Sequence, residues 1–214
     1  LVFGSDHGLA GRFNEQIVSF ALQDEQGYDP SSSQFFAIGE QVITRFKAND
    51  IDPQRVFHLP SSISAITPFI QHLLEGIEEK RNSDGVEEVL LFYNRPLTGG
   101  FKSNIDRLLP VDLAQLRETR LNWQSRSLPT FTMSSNRLLS SLLRQYFFVS
   151  LYRACALSLA AEKISRLAAM QAAEKNIDER LDDLKAAYQQ ERQAAITDEM
   201  LEIISGFKAV LGTD

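Results

Sequence analysis

Short apolar runs alternate with helix-spaced apolar repeats through the first part of the chain. Residues 1–3, 34–38, 55–59 and 88–93 are compact apolar runs that predict buried strands, the last with Val89-Leu90-Leu91-Phe92 at its centre. Between them, residues 14–22 carry Ile17, Val18, Ala21 and Leu22 at helical spacing, and residues 40–49 place Val42, Ile43 and Phe46 on one face. Residues 66–80 repeat apolar side chains at Ile66, Phe69, Ile70, Leu73, Leu74 and Ile77, an amphipathic helix. Residues 103–112 fit either another strand or a loop leading to Pro110. Strands alternating with helices predict an α/β fold: a small, mostly parallel, Rossmann-like sheet flanked by helices on both faces.

The pattern changes near Pro129. All 7 prolines lie at or before it, 9 of the 11 glycines lie at or before Gly100, and residues 130–205 contain neither. Such residues punctuate turns and element ends, so the chain divides into an α/β domain, 1–129, and a helical part, 130–214. Asn136 is the expected N-cap, and Gly206 and Gly212 are the first stop signals after it. One helix over 136–211 would be roughly 114 Å long at 1.5 Å per residue. Residues 138–161 are apolar on nearly all sides, which predicts enclosure, partly by the first half of the chain. Beyond Glu162 a narrow seam appears, with Met170, Ile177, Leu181, Leu184 and Tyr188, then Ile196, Met200, Ile203, Phe207 and Val210, on heptad spacing. The eight-residue step from Tyr188 to Ile196 is a one-residue slip, which alters coiling without ending the helix. A seam this narrow serves one partner helix. The chain has no second long heptad pattern, so the partner is expected from a missing N-terminal segment or from another chain. Leu1 opens the sequence in mid-strand and without methionine, which leads us to expect further residues upstream.

Charge and cysteine usage narrow the classes. A formal net charge of −6 argues against nucleic-acid binding, which favours a concentrated basic surface. The single cysteine, Cys155, permits no internal disulfide and favours a reducing compartment. No uninterrupted apolar stretch approaches the roughly 20 residues that span a bilayer, so any membrane association is expected to be peripheral.

Candidate chemistry is sparse. Residues 3–14 form a glycine-rich turn between a strand and a helix, where nucleotide folds cradle phosphate. The glycine spacing, however, fits neither the dinucleotide fingerprint nor a phosphate loop. His7, His58 and His72 are scattered, and no metal-ligand spacing occurs. Ser5-Asp6-His7 makes a poor triad, because adjacent side chains rarely converge on one atom. Cys155 reads as a small core residue. Tyr93-Asn94-Arg95-Pro96 lies at the ligand-binding end of such sheets, though a strand stopping at a proline explains it more simply. Asp178, Glu179, Asp182 and Asp183 read as a solvated face, and Arg137, Arg144 and Arg153 as cations snorkelling from a buried helix. No catalytic, cofactor-binding or metal-binding residue is expected.

Three segments carry a family resemblance. Gly4-Ser5-Asp6-His7-Gly8-Leu9-Ala10-Gly11-Arg12-Phe13-Asn14 is similar to the Ser-Asp-x-Gly-Leu-x-Gly-x-Phe-Asn motif of the gamma subunits of rotary F-type ATP synthases. Ser165-Arg166-Leu167-Ala168-Ala169-Met170 and Asn176 resemble that family's Ala-Arg-Met-x-Ala-Met and Asn-Ala region. The stretch from Arg192-Gln193-Ala194-Ala195-Ile196-Thr197 to Gly206 resembles its Arg-Gln-Ala-x-Ile-Thr-x-Glu-Leu-x-Glu-Ile-x-x-Gly ending, and the three occur in family order. Phe207-Lys208 departs from the small residues usual after that glycine. Residues 93–97 and 148–155 look more like the alternative, N-type branch, some of whose members are associated with sodium transport. The family's N-terminal helix is absent from the sequence.

The resemblance implies a non-catalytic rotor shaft. The N- and C-terminal helices would wind into an antiparallel coiled coil inside a ring of alternating alpha and beta subunits. The α/β domain would meet the epsilon subunit and the c-ring at the cytoplasmic face of a bacterial inner membrane. Proton or sodium coupling, and synthesis or hydrolysis, both stay open. Arg166, Arg192, Gln193 and Thr197 match positions that touch beta-subunit loops. Two other readings compete: a nucleotide-binding α/β protein with a coiled-coil dimerisation arm, and a self-associating coiled-coil adaptor.

Overall fold

The computed structural model describes residues 1–23, 32–60, 62–111, 127 and 130–211, with side chains given up to residue 206. The compositional boundary at Pro129, the segment end at Asp112, the stop at Gly212 and the side chains of Phe207 and Val210 lie outside this description. Two compact units result, Leu1–Ala168 and Ala169–Asp214.

The first unit is built on five strands: β1 (Val2–Phe3), β2 (Phe36–Ile38), β3 (Arg55–Phe57), β4 (Val89–Leu97) and β5 (Gly100–Leu109). Their order is β3-β2-β1-β4-β5. The first four are parallel, with Val2 opposite both Ala37 and Phe92, and β5 pairs antiparallel with β4. The helices are α1 (Phe13–Ala21), α2 (Glu40–Lys47), α3 (Ile66–Asp84) and α4 (Ser135–Leu211), with one 3-10 turn at Ile63–Ala65. Alternate strand residues point to opposite faces. Val2, Ala37 and Phe92 meet Ile17, Val18, Val42 and Phe46 of α1 and α2. On the other face Phe3, Ile38, Leu91 and Tyr93 meet Ile70 and Leu73 of α3 and Leu151, Ala154 and Cys155 of α4. The expected two-faced α/β sandwich is therefore present, with α4 as part of it.

The structure extends or corrects several expectations. The strand read over 88–93 continues through Pro96 to Leu97, and the ambiguous segment is the long strand β5. Pro96 is tolerated because β4 leaves β1 after Phe92 and is thereafter paired only with β5; a residue without an N–H is acceptable on such an edge. Leu97 pairs with Gly100, and Gly99 at φ 83 makes the two-residue turn between them. Helix α4 begins at Ser135, and the Leu138 N–H donates to the Ser134 carbonyl at 3.0 Å, so Asn136 sits in the first turn and does not cap it. Gly206 lies inside α4, which runs on to Leu211; one glycine costs a helix only about 1 kcal/mol and does not end it.

The expected enclosure of residues 138–161 holds for one face only. Leu151, Ala154, Cys155, Ser158 and Ala161 are buried, whereas Leu139, Leu142, Tyr146 and Val149 are exposed. The exposed residues follow steps of three and four, so the apolar seam begins at Leu139. No large apolar side chain is exposed between Val149 and Ile164; a second stretch then runs through Ile164, Leu167, Met170, Ile177, Leu181, Leu184 and Tyr188 to Ile196, Met200 and Ile203. Arg137, Arg144 and Arg153 are exposed, and the acidic cluster is solvated, with Lys175–Glu179 at 3.6 Å and Lys185–Asp182 at 3.1 Å.

Cys155 is fully buried, and burial pushes its thiol up to about 12. Because the thiolate is the reactive form, the native protein should give no reaction with a disulfide reagent at pH 8. One equivalent should appear on unfolding.

Candidate functional site

The glycine-rich segment after β1 is a self-satisfied polar knot. Gly4 continues the sheet by donating to the Ile38 carbonyl at 2.8 Å. Ser5 is fully buried. Its N–H donates to Asn14 Oδ1 at 2.9 Å, and its Oγ accepts from Asn14 Nδ2 at 2.8 Å and donates to the His7 carbonyl at 2.9 Å. Asn94, also buried, donates to the Phe13 carbonyl at 3.1 Å and accepts from Ser103 Oγ at 2.8 Å. The Phe13 and Phe101 rings pack at 5.2 Å. Together these groups occupy the crevice at the carboxyl ends of β1 and β4, where the strand order reverses and related sheets bind ligands.

Asp6 explains why the turn reads like a phosphate cradle. Its carboxylate accepts the Glu40 N–H at 3.0 Å and the Leu59 N–H at 2.9 Å, with His58 Nδ1 3.8 Å away. Glu40 is the first residue of α2. A helix amino terminus attracts an anion, and here the chain supplies its own. Ser5 Oγ donates to the His7 backbone carbonyl and not to its imidazole, and Asp6 binds the Glu40 and Leu59 N–H groups, so no triad forms. A groove of about 340 Å³ does exist, but it lies at the opposite, amino-terminal end of the strands, beside Leu1, Phe35, Val89 and Lys80. Asp84 on its rim is held well below the usual carboxylate range by hydrogen bonds from Lys80, Ser83 and Gln34. Among the described residues no group of three His, Cys, Asp or Glu is placed to hold a metal ion.

The same loop grips α4. Leu9 at φ 63 and Gly11 at φ 57 turn the backbone back on itself. Ser165 Oγ donates to the Ala10 carbonyl at 2.6 Å, and Arg166 Nη2 donates to the carbonyls of His7 at 3.3 Å and Gly8 at 3.4 Å. Arg166 also pairs with Glu162 at 2.6 Å, whose side chain is only 4% exposed. Ser158 Oγ reaches the Phe3 carbonyl at 3.5 Å. The first two resemblance motifs are therefore in direct contact although 155 residues separate Ala10 from Ser165.

Of the four residues singled out from sequence, Arg166 belongs to the first unit and is engaged by its own chain. Arg192, Gln193 and Thr197 are exposed residues of the second unit, where Thr197 Oγ1 donates to the Gln193 carbonyl at 2.8 Å. Sequence reasoning missed Glu162 as the partner of Arg166 and Ser165 as a partner of the loop. A carboxylate four residues before Arg166 was the available signal for the first; no local pattern announces the second. Tyr93, whose segment the sequence explains most simply as a strand end, donates its hydroxyl to Asp106 at 2.7 Å; burial, then that carboxylate, pushes it up to about 12.

A filled ligand crevice, an α/β body gripping a long helix and an exposed apolar seam define a helix-bearing structural subunit. The family profile described as ATP synthase matches residues 1–210. The ATP synthase gamma chain of Sulfurovum sp. is 30% identical over 96% of this chain and 70% of its own length. That of Staphylococcus carnosus is 29% identical over 98% and 73%. Two solved assemblies share the fold. The central stalk and c-ring structure of the Tetrahymena thermophila mitochondrial ATP synthase has a TM-score of 0.62 at 21% identity, over 80% of this chain and 74% of that one. The rotor of the Euglena gracilis mitochondrial ATP synthase has a TM-score of 0.67 at 14% identity, over 91% and 72%. The chain belongs to the ATP synthase gamma chain family, as a non-catalytic subunit. Among the described residues no helix is long and apolar enough to cross a membrane.

Proposed function

We propose that this chain is the central-stalk rotor subunit of an F-type ATP synthase, coupling rotation of an ion-driven c-ring to changes at the catalytic sites of the beta subunits. The observation that carries this reading is the set of large apolar side chains left exposed along one helix of 77 residues, Leu139 to Val149 and again Ile164 to Ile203. A stripe at three- and four-residue steps is what a second helix packs into. Paired, α4 becomes a stiff two-stranded shaft able to carry a coupling free energy between distant sites. The α/β body is the part that meets the epsilon subunit and the c-ring, and alpha and beta subunits surround the shaft. The assembly holds the chain peripherally at the cytoplasmic face of a bacterial inner membrane.

Arg192, Gln193 and Thr197 are proposed contacts to beta-subunit loops. They are exposed on the second unit and carry the donors and acceptors such contacts use. The purified chain should co-purify with co-expressed alpha and beta subunits. Alone, it should show no ATPase activity and no rise in melting temperature with ATP or NAD, since a ligand bound to the native state must raise it. A shift of several degrees with either nucleotide would favour the nucleotide-binding alternative.

A further inference from the structure

We propose that loop 7–11 and the α4 residues Glu162, Ser165 and Arg166 form a rotational lock, which stops α4 from rolling about its own axis on the α/β body when torque passes between them. The inference rests on the rotor reading and adds to it a place where torque crosses from body to shaft.

The contacts of α4 with the sheet are mostly apolar. Leu151, Ala154 and Cys155 are buried there, with the larger Phe147, Phe148 and Tyr152 half-buried around them. Apolar burial is proportional to area and has no direction, so these side chains resist a roll only through the steric fit of their packing, with no bond whose geometry fixes one angle. The loop contacts differ in kind. Three carbonyls, of His7, Gly8 and Ala10, accept from two adjacent side chains of α4. Donors on a helix surface sit roughly 5 Å from its axis, so a roll of about 15° moves them by about 1 Å, enough to break a hydrogen bond.

The acceptors are themselves fixed. Asp6 ties the loop to α2 and to the end of β3, while Ser5 and Asn14 tie it to α1. The buried Glu162 carboxylate then sets the position of the Arg166 guanidinium. A buried ion pair is a weak source of stability, and fixing register is its best-attested use.

The test uses the complete ATP synthase carrying this chain. Removing one charge would strand the other, so the pair is replaced by apolar side chains of similar size, Glu162→Leu with Arg166→Met, together with Ser165→Ala. The isolated variant should stay folded, with a urea midpoint lowered by the unsatisfied Ala10 carbonyl, and its complex should hydrolyse ATP while the ratio of ions pumped to ATP consumed falls several-fold. A second complex carries Glu162→Leu and Arg166→Met with Gly11→Cys and Ser165→Cys. A β-carbon at residue 11 would stand 3.8 Å from Ser165 Oγ; because Gly11 holds φ 57, where a side chain is strained, closure of the disulfide is checked first by loss of both introduced thiols, the native Cys155 being buried away from oxidant. Oxidation should restore the ratio and reduction should lose it again. An unchanged ratio in the apolar variant overturns the lock. So does failure of the closed disulfide to restore it, the result expected if Arg166 acts on a beta subunit instead. A wild-type chain that forms no complex with alpha and beta subunits brings down the rotor reading, and the lock with it.

Discussion

Replacing Leu181, Leu184 and Tyr188 together by alanine should leave the isolated chain's urea midpoint within experimental error and strip the assembled enzyme of most of its ion-coupled activity. In the chain by itself these side chains are 47%, 60% and 63% exposed. Truncating exposed residues changes stability by no more than about 0.5 kcal/mol each, and alanine preserves helix propensity. In a two-stranded shaft the same positions are core, where large-to-alanine changes cost about 2–5 kcal/mol each. Three such losses exceed what a marginal helix pair withstands. The measurements are urea unfolding of the free chain and co-purification and ATP-driven pumping of the complex. Unaltered pumping would mean that the seam packs on nothing during turnover. Sedimentation of the free chain separates the remaining possibility: a self-associating adaptor would form dimers that the triple variant abolishes.

Gly39→Ala is expected to destabilise the α/β body by about 3 kcal/mol or more, read as a large fall in urea midpoint with the slope unchanged. Gly39 holds φ 103, where L-residues are strained, and an added β-carbon would lie 2.8 Å from backbone atoms of Ser5. Neither side has freedom to retreat. The Gly39 N–H donates to the Phe57 carbonyl at 2.8 Å, and Ser5 is pinned by Asn14 and by the Gln41 N–H, which donates to the Ser5 carbonyl at 3.0 Å. The damage should spread to the α4 grip, because Asp6 reaches the next residue, Glu40. Loss of protection from hydrogen exchange at residues 5–11 would report it.

The three sheet residues around Phe92 show why the α/β half was legible. Leu91, Phe92 and Tyr93 alternate between the two cores. A strand buried on both faces must be apolar throughout, so the run 89–92 announces itself. Pro96 misled for an equally local reason: proline usually ends a strand, and only the departure of β1 from β4 makes an edge on which it is harmless. The Thr98-Gly99 turn was a readable hairpin signal, since Gly99 meets its demand for positive φ.

The sequence by itself determined the alternation of strands and helices, the uninterrupted long helix and the unpaired seam beyond Glu162, because each is a periodic pattern and periodicity follows from local backbone geometry. Only the tertiary structure decided which face of residues 138–161 is covered, that Asp6 fills its own anion site and that loop 7–11 holds Ser165 and Arg166. Those facts depend on which distant segments meet, and a contact across 155 residues leaves no periodic trace in the chain that makes it.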